Sequence, residues 1–283
     1  LHYFSLEKNK NVTEVVRKRL CNSCGACAAI CPKQAVSLRE DSTGSLLPEI
    51  DKVKCDKCGL CLSICQGAHF VNEHFLEQYK NPFYGEVVQA YVGKATETDI
   101  YRNSQSGGIA TALAKCSLRD DDVSGVLVVS MTEGKPPRPI VNIATTEEEL
   151  RRAQGSKYCP IALLEKFREI EKLHGKLTLV GLPCHIHALL NMCDLFTKYQ
   201  NKIKYKIGLF CDRTLSLSAM DYLAEKSGIN KNEKYSVNFR DKLRTGFPGD
   251  VTVMGDGLKI LTASLRMSIK DFFTPIRCRL CFD

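Results

Sequence analysis

The sequence predicts a chain of mixed α+β and α/β class, in which a small cysteine-rich module precedes a larger domain of alternating strands and helices. Two observations lead to this prediction. Fifteen cysteines occur in 283 residues, and eight of them form two copies of one spacing between residues 21 and 65. After residue 86 cysteine becomes sparse, and apolar runs of strand length alternate with helical patterns. We therefore predict a lead-in at 1–20, a module at 21–67, a connector at 68–85 and a domain at 86–283.

The repeated spacing is C-x2-C-x2-C-x3-C, which ligates two 4Fe-4S clusters in bacterial-type ferredoxins. In that pattern the fourth cysteine of each run ligates the other cluster. One predicted cluster is therefore bound by Cys21, Cys24, Cys27 and Cys65, and the second by Cys55, Cys58, Cys61 and Cys31. The motif expects a proline after each run, and the chain has Pro32 after the first but Gln66 after the second. A pair of zinc sites is the alternative, but tetrahedral zinc needs four ligands per site and not two interleaved runs.

Composition and charge exclude several classes of protein. The net charge of +8 is spread along the chain, without the basic and aromatic clusters typical of nucleic-acid binding. No apolar run approaches the ~18 residues that a membrane span requires, so we expect membrane association only through a partner complex. The many cysteines in cluster spacing, without a visible signal peptide, favour a cytoplasmic location.

The elements of the larger domain follow from its apolar patterns. We predict strands at 86–94, 125–131, 140–145, 176–180 and 202–210. Helices are predicted at 107–117, 146–153, 161–173, 185–192 and 216–226, and the tail after residue 235 is predicted to be rich in β-structure. Alternation of strands and helices favours an α/β layer with parallel strands.

A second set of cysteines lies at the predicted ends of strands. Cys184 follows the 176–180 strand, and Cys211 follows the 202–210 strand. Both thiols are expected at the carboxyl edge of the sheet, where open α/β sheets bind ligands. With the C-x2-C pair Cys278 and Cys281 they could form a third cluster site, a structural zinc site, or a redox disulfide with two packed thiols. The other three thiols, Cys116, Cys159 and Cys193, are predicted to be packed in the core.

Three polar segments are candidates for binding an anionic cofactor. Ser104, Gln105, Ser106, Gly107 and Gly108 run directly into a predicted helix, whose amino end favours phosphate. Gly155, Ser156, Lys157 and Tyr158 supply a turn, a hydroxyl, a cation and an aromatic ring, and Arg240 and Lys242 flank a carboxylate at a strand end. Helix capping, an ordinary connector and a solvated turn are the plain alternatives. The absence of G-x-G-x-x-G and of a Walker motif excludes a Rossmann site and a P-loop.

Taken together, the residues after 86 resemble the family of β subunits of coenzyme F420 hydrogenases and dehydrogenases, with a two-cluster ferredoxin fused in front. The resemblance is carried by residues 104–108, 155–158, 181–184, 240–242 and 246, and by Cys211, Cys278 and Cys281. It implies a flavin domain that is not Rossmann-like, divided into parts at about 86–173 and 174–283. The family usually continues beyond the last cysteine pair, so we expect this chain to be truncated there.

The resemblance also implies a function. It assigns FAD to the segments at 104–108 and 155–158, with Arg240 and Lys242 beside them, and a third 4Fe-4S cluster to Cys184, Cys211, Cys278 and Cys281. The chain would then exchange a hydride between coenzyme F420 and FAD, and pass single electrons to or from a partner protein. No acid-base catalytic residue is identified. The alternatives are a ferredoxin-driven flavin reductase acting on another organic substrate and a non-catalytic iron-sulfur relay subunit.

Overall fold

The computed structural model describes residues 10–69, 86–170, 172–230 and 232–281. Most of the connector predicted at 68–85 and residues 1–9 of the lead-in lie outside these described residues. Among the described helices, none combines the length and apolarity needed to cross a membrane.

The N-terminal module is built from two short helices and one hairpin. The helices Ala26–Ile30 and Leu60–Ser63 each begin directly after a glycine with a left-handed backbone. Between them, strands β1 (Val36–Glu40) and β2 (Leu46–Ile50) pair in antiparallel register, and the helix Thr13–Arg17 precedes the module. At Gly25 a side chain is excluded by its positive φ and by the backbone nitrogen of Glu165, 2.7 Å from where a Cβ would lie.

The larger domain contains a four-stranded sheet in the order β4-β3-β5-β6. Its strands are β3 (Val123–Met131), β4 (Pro139–Ala144), β5 (Lys176–Gly181) and β6 (Ile203–Gly208). The β3, β5 and β6 strands are mutually parallel, whereas β4 is antiparallel to β3. The prediction of four of these strands and of parallel pairing is confirmed, except that β4 returns through a tight connection and therefore runs antiparallel.

The prediction of a strand at 86–94 is wrong, since the structure has no regular element there. Its apolar side chains are exposed, with Val88 at 94% and Tyr91 at 81% of full accessibility. An apolar run forms a strand only where a neighbouring strand can pair with it, and none pairs with this segment in the described part of the chain.

Helices flank this sheet at Thr98–Asn103, Ile109–Ser117, Glu147–Arg152, Phe167–Ile170 after a 3-10 turn at Leu163–Lys166, Pro183–Leu195, Thr197–Gln200 and Ser218–Lys226. The five predicted helices are found with bounds that agree to within a few residues, whereas Thr98–Asn103 and Thr197–Gln200 were not predicted. Thr146 and Glu149 form a capping box at the start of the Glu147–Arg152 helix. The predicted β-rich tail is a three-stranded antiparallel sheet of β7 (Ser236–Asp241), β8 (Asp250–Met254) and β9 (Leu258–Leu261). The helix Lys242–Thr245 lies between β7 and β8, and Ala263–Phe273 and Ile276–Arg279 end the chain.

The N-terminal module shares the main hydrophobic core with the α/β domain. Cys24, Ile30 and Ile64 belong to the same buried cluster as the strands and the long helices. The Leu164 amide donates to the carbonyl of Cys24 over 2.9 Å, and the Asn191 side chain donates to the carbonyl of Ile64 over 3.2 Å. The cysteine loops of the module are thus fixed against the larger domain.

Candidate functional site: three thiol groups and a polar cleft

The first thiol group combines three cysteines of one run with the last cysteine of the other. Cys21, Cys24, Cys27 and Cys65 line one cavity, as the crossed pattern predicts. Cys24 and Cys27 are buried, and burial raises the pKa of Cys21 to about 12. The Ser23 amide donates to the Cys21 sulfur over 3.4 Å, which is the type of contact that stabilises a metal-bound thiolate.

The second thiol group is the complementary set. Burial raises the pKa of Cys61 to about 11, and the nearby thiols of Cys31, Cys58 and Cys55 add to the rise. The Ala35 amide donates to the Cys31 sulfur over 3.3 Å. Cys31 thus lies with the cysteines of the second run, although it follows the first run in sequence.

The third thiol group forms where two parallel strands end. Cys184 lies in the first turn of the Pro183–Leu195 helix after β5, and Cys211 follows β6. Both line one cavity with Cys278 and Cys281, which come from the end of the described chain. Burial raises the pKa of Cys184 to about 12, and the other three thiols are near enough to add to it. The structure therefore brings together four cysteines that the sequence separates by almost a hundred residues.

The donor sets are of the type that binds 4Fe-4S clusters, because each group supplies four thiols. Within the described ranges, no three His, Cys, Asp or Glu side chains are arranged to hold one metal ion. The thiols of the first and third groups line cavities. A tetrahedral zinc ion draws its four sulfurs to one point at about 2.3 Å, whereas a 4Fe-4S cubane holds them apart at its corners.

The three unassigned cysteines differ from one another. Cys159 and Cys193 are buried, as predicted, but the prediction for Cys116 is wrong because its side chain is exposed. Cys159 also lines the cavity of the third thiol group. It follows Tyr158, one of the predicted cofactor-binding residues, so these two regions are adjacent along the chain.

The predicted cofactor segments contact one another, and we refer to the polar surface that they form as the polar cleft. The Lys242 ammonium donates to the Ser104 hydroxyl over 3.1 Å and to the Ser106 carbonyl over 2.6 Å. The Gln105 amide donates to the Asn238 side chain over 3.3 Å. Segments 104–108 and 238–242, which are far apart in sequence, therefore contact each other, as the prediction of a shared binding site requires.

Gly155 and Gly108 give this cleft its shape. Gly155 lies against Gln105, whose amide nitrogen would be 3.3 Å from a Cβ at that position. Gly108 has a φ of +79° and immediately precedes the Ile109–Ser117 helix. The Ser104 hydroxyl donates to the Tyr101 and Ser106 carbonyls instead of capping that helix. The amino end of the helix therefore has no side-chain cap, and its amides can receive an anion.

Two of the predicted cofactor-binding cations donate hydrogen bonds to backbone carbonyls of their own loops. The Lys157 ammonium donates to the carbonyls of Ala153, Gln154 and Gly155, and burial lowers the pKa of Lys157 to about 8. Arg240 donates to the Pro248 carbonyl over 3.0 Å and stacks on the Phe247 ring. Cofactor contacts from these two residues remain predictions. In the structure, the hydrogen bonds of Lys157 stabilise its own loop.

Arg266 is a site residue that the sequence reasoning missed. It is 4% exposed, and its Nε and Nη2 atoms have no hydrogen-bond partner among the described residues. The guanidinium lies 5.9 Å from the centroid of the Tyr158 ring, and that ring packs edge-on against Phe239. A buried cation with unpaired donors is costly, so this position indicates an anionic partner. The sequence contains one indication of this role. Arg266 lies three residues before Ile269, and both are on the buried face of the helix, where apolar residues are expected.

Comparisons with known proteins cover nearly all of the described chain. Residues 90–167 match the family model described as coenzyme F420 hydrogenase/dehydrogenase, beta subunit N-term, and residues 174–283 match the model of its C terminus. Residues 20–69 match a 4Fe-4S dicluster domain. The cysteine module predicted at 21–67 thus corresponds to a recognised iron-sulfur domain.

Three relatives illustrate the similarity. An uncharacterised protein of Methanocaldococcus jannaschii is 27% identical over 98% of this chain and 81% of its own length. The coenzyme F420-dependent sulfite reductase of the same organism is 27% identical over 96% of this chain and 41% of its own. A component of the F(420)H(2) dehydrogenase of Methanosarcina mazei is 26% identical over 71% of this chain and 55% of its own. The chain spans less than two thirds of the last two proteins.

Proposed function

Because the chain belongs to the family of coenzyme F420 hydrogenase/dehydrogenase β subunits and carries a 4Fe-4S dicluster domain, we propose that it is an iron-sulfur flavoprotein oxidoreductase. It exchanges a hydride between coenzyme F420 and FAD, and passes single electrons through 4Fe-4S clusters to or from a partner protein. The names of two relatives, a sulfite reductase and a dehydrogenase component, support this chemistry and the need for a partner. A cytoplasmic location, with any membrane association made through that partner, is part of the proposal.

The observation that carries this proposal is the continuity between the polar cleft and the thiol groups. Tyr158 contacts Phe239 and Arg266 in the cleft, and the next residue, Cys159, lines the cavity of the third thiol group. Asn22 of the dicluster domain lines that cavity and also the cavity of the first group. The polar cleft, the third thiol group and the first thiol group are therefore linked by shared or neighbouring residues.

The proposed electron transfer requires a flavin site close to the cluster sites. A hydride carries two electrons, whereas a cluster accepts one at a time, so a flavin that takes a pair and releases single electrons is needed between them. The residues of this chain then have to align two rings, exclude water and hold charge, because hydride transfer depends mainly on alignment. No acid-base side chain is assigned to the reaction.

We assign the FAD contacts to the residues that form the polar cleft. They are Ser104, Gln105, Ser106, Gly107, Gly108, Gly155, Ser156, Lys157, Tyr158, Arg240 and Lys242, to which we add Arg266. The buried side-chain oxygen atoms of Gln105 and Gln154 have no hydrogen-bond partner within the described ranges. These orphaned acceptors and the unpaired Arg266 donors are the hydrogen-bonding groups that a polar, anionic cofactor would satisfy.

Metal content tests the assignment of the third thiol group. We expect about twelve irons and twelve sulfides per chain, because three groups of four thiols would each hold one 4Fe-4S cluster. Iron and acid-labile sulfide would be measured on anaerobically purified protein. The double variant C278S/C281S should contain about eight irons, while C116S, which removes a thiol outside the three groups, should retain about twelve. A native count near eight would remove the third cluster.

Optical reduction tests the function itself. The protein as purified should show flavin absorbance beneath the broad cluster absorbance, and reduced coenzyme F420 should bleach both. NADH serves as a mismatched hydride donor that should bleach neither. Absence of flavin would favour the iron-sulfur relay subunit. A bound flavin that responds to reduced ferredoxin but not to reduced F420 would favour the ferredoxin-driven reductase with another organic substrate.

A further inference from the structure

Arg277 lies in the wall between two of the thiol groups. It belongs to the last described helix, is 2% exposed, and lines the cavity of the third thiol group beside Cys278 and Cys281. Asn22 and Gln66 of the dicluster domain line the same cavity, and their side chains are hydrogen-bonded to each other. Two domains therefore meet around this guanidinium.

Arg277 lies near thiols of both groups. It lines the cavity of the third group together with Cys278 and Cys281. It also lies near Cys65 of the first group, whose neighbour Gln66 lines the same cavity. Arginine remains protonated in proteins, so this position holds a permanent positive charge. The Cys24 thiol also lies near Cys184, which shows how closely the two groups approach.

Gln66 supplies a polar contact at this cavity. The ferredoxin pattern expects proline directly after Cys65, and this chain has a buried glutamine that accepts a hydrogen bond from Asn22. The departure from the motif thus occurs at the residue that faces the cavity of the third group. A proline ring has no hydrogen-bonding side chain and could not form this polar contact.

We propose that Arg277 is a positioning residue shared by two clusters, and that its charge raises the reduction potential of both. Reduction adds one negative charge to a cluster, and a buried cation nearby stabilises the reduced form. The proposal rests on the proposed function, because it needs a cluster bound by Cys184, Cys211, Cys278 and Cys281. Cys55 and Cys58 of the second group do not line the cavity that contains Arg277, so this group provides an internal reference.

The test is a redox titration of the holoprotein followed by electron paramagnetic resonance. In R277Q the clusters of the first and third groups should each become about tenfold harder to reduce, equivalent to about 59 mV for one electron, while the cluster of the second group stays unchanged. R279Q removes an equal charge from an exposed position in the same helix and should change none of them. R277K should keep the reduction potentials of the first and third clusters at their native values, since lysine keeps the charge.

Each outcome bears on one of the two proposals. Unchanged potentials in R277Q, or a change confined to the third group, would overturn the role of Arg277. If R277Q fails to assemble its clusters, the native protein still provides a test. Its reduced first and third clusters should show magnetic spin coupling, and two uncoupled signals would overturn the shared position. A native protein with about eight irons and no third signal would instead contradict the proposed function.

Discussion

Replacing Arg266 with methionine should weaken FAD binding but stabilise the apoprotein. The variant loses a charge-assisted hydrogen bond to the cofactor, worth about 1.5–3 kcal/mol, so FAD affinity should fall roughly 10- to 150-fold. Without FAD, however, R266M should melt at a higher temperature than the native apoprotein, because it no longer buries an unpaired cation. We expect this crossover to be visible in thermal unfolding of the apo and FAD-loaded proteins, with bound flavin measured by fluorescence after release.

Two control variants separate charge from packing. R244Q removes an exposed cation from the neighbouring Lys242–Thr245 helix and should alter neither FAD affinity nor apoprotein stability by more than about 0.5 kcal/mol. R266K keeps the charge but loses the planar guanidinium. Its FAD affinity should therefore lie between the affinities of R266M and the native protein. If R266M retains FAD with native affinity, the anionic partner of Arg266 is some other group, and the cleft has been assigned to the wrong ligand.

Features of the fold that depend on local sequence patterns could be predicted, whereas features that depend on tertiary contacts could not. The cysteine spacing and the strands β3, β5 and β6 follow from local patterns, and the structure agrees with both. The strand predicted at 86–94 is wrong because periodicity does not reveal whether a partner edge exists. The hairpin of β1 and β2 was not predicted, because the cysteine spacing specifies the ligand loops and not the residues between them.

In the candidate site, too, local patterns were predictable and tertiary contacts were not. The position of Cys184 and Cys211 at the ends of neighbouring parallel strands followed from the order of elements. Their approach to Cys278 and Cys281 depends on how the final helices pack, which no local pattern encodes. Arg266 was missed because its importance arises from the lack of a partner, and Lys157 was over-interpreted because a sequence does not show that backbone carbonyls already surround its ammonium.

The first thiol group offers the largest expected effect on electron flow. Cys24 lies between the third group and the rest of the dicluster domain, since its thiol is near both Cys184 and Cys65. Replacing it with serine removes a thiolate ligand from one cluster but leaves the polar cleft untouched. We therefore expect C24S to keep rapid flavin reduction by reduced coenzyme F420, and to lose most electron delivery to a one-electron protein acceptor such as cytochrome c.

Stopped-flow absorbance, with flavin and cluster wavelengths followed separately, can resolve the two steps. C116S removes an exposed thiol outside the three groups and should behave as the native protein. Because Cys24 is part of the main core, C58S supplies a second variant at a less buried ligand of the second group, and it too should slow delivery without slowing flavin reduction. Native delivery in both variants would show that electrons leave without crossing the dicluster domain. Loss of flavin reduction in a folded, FAD-loaded variant would mean that electrons enter through that domain, as in the ferredoxin-driven reductase.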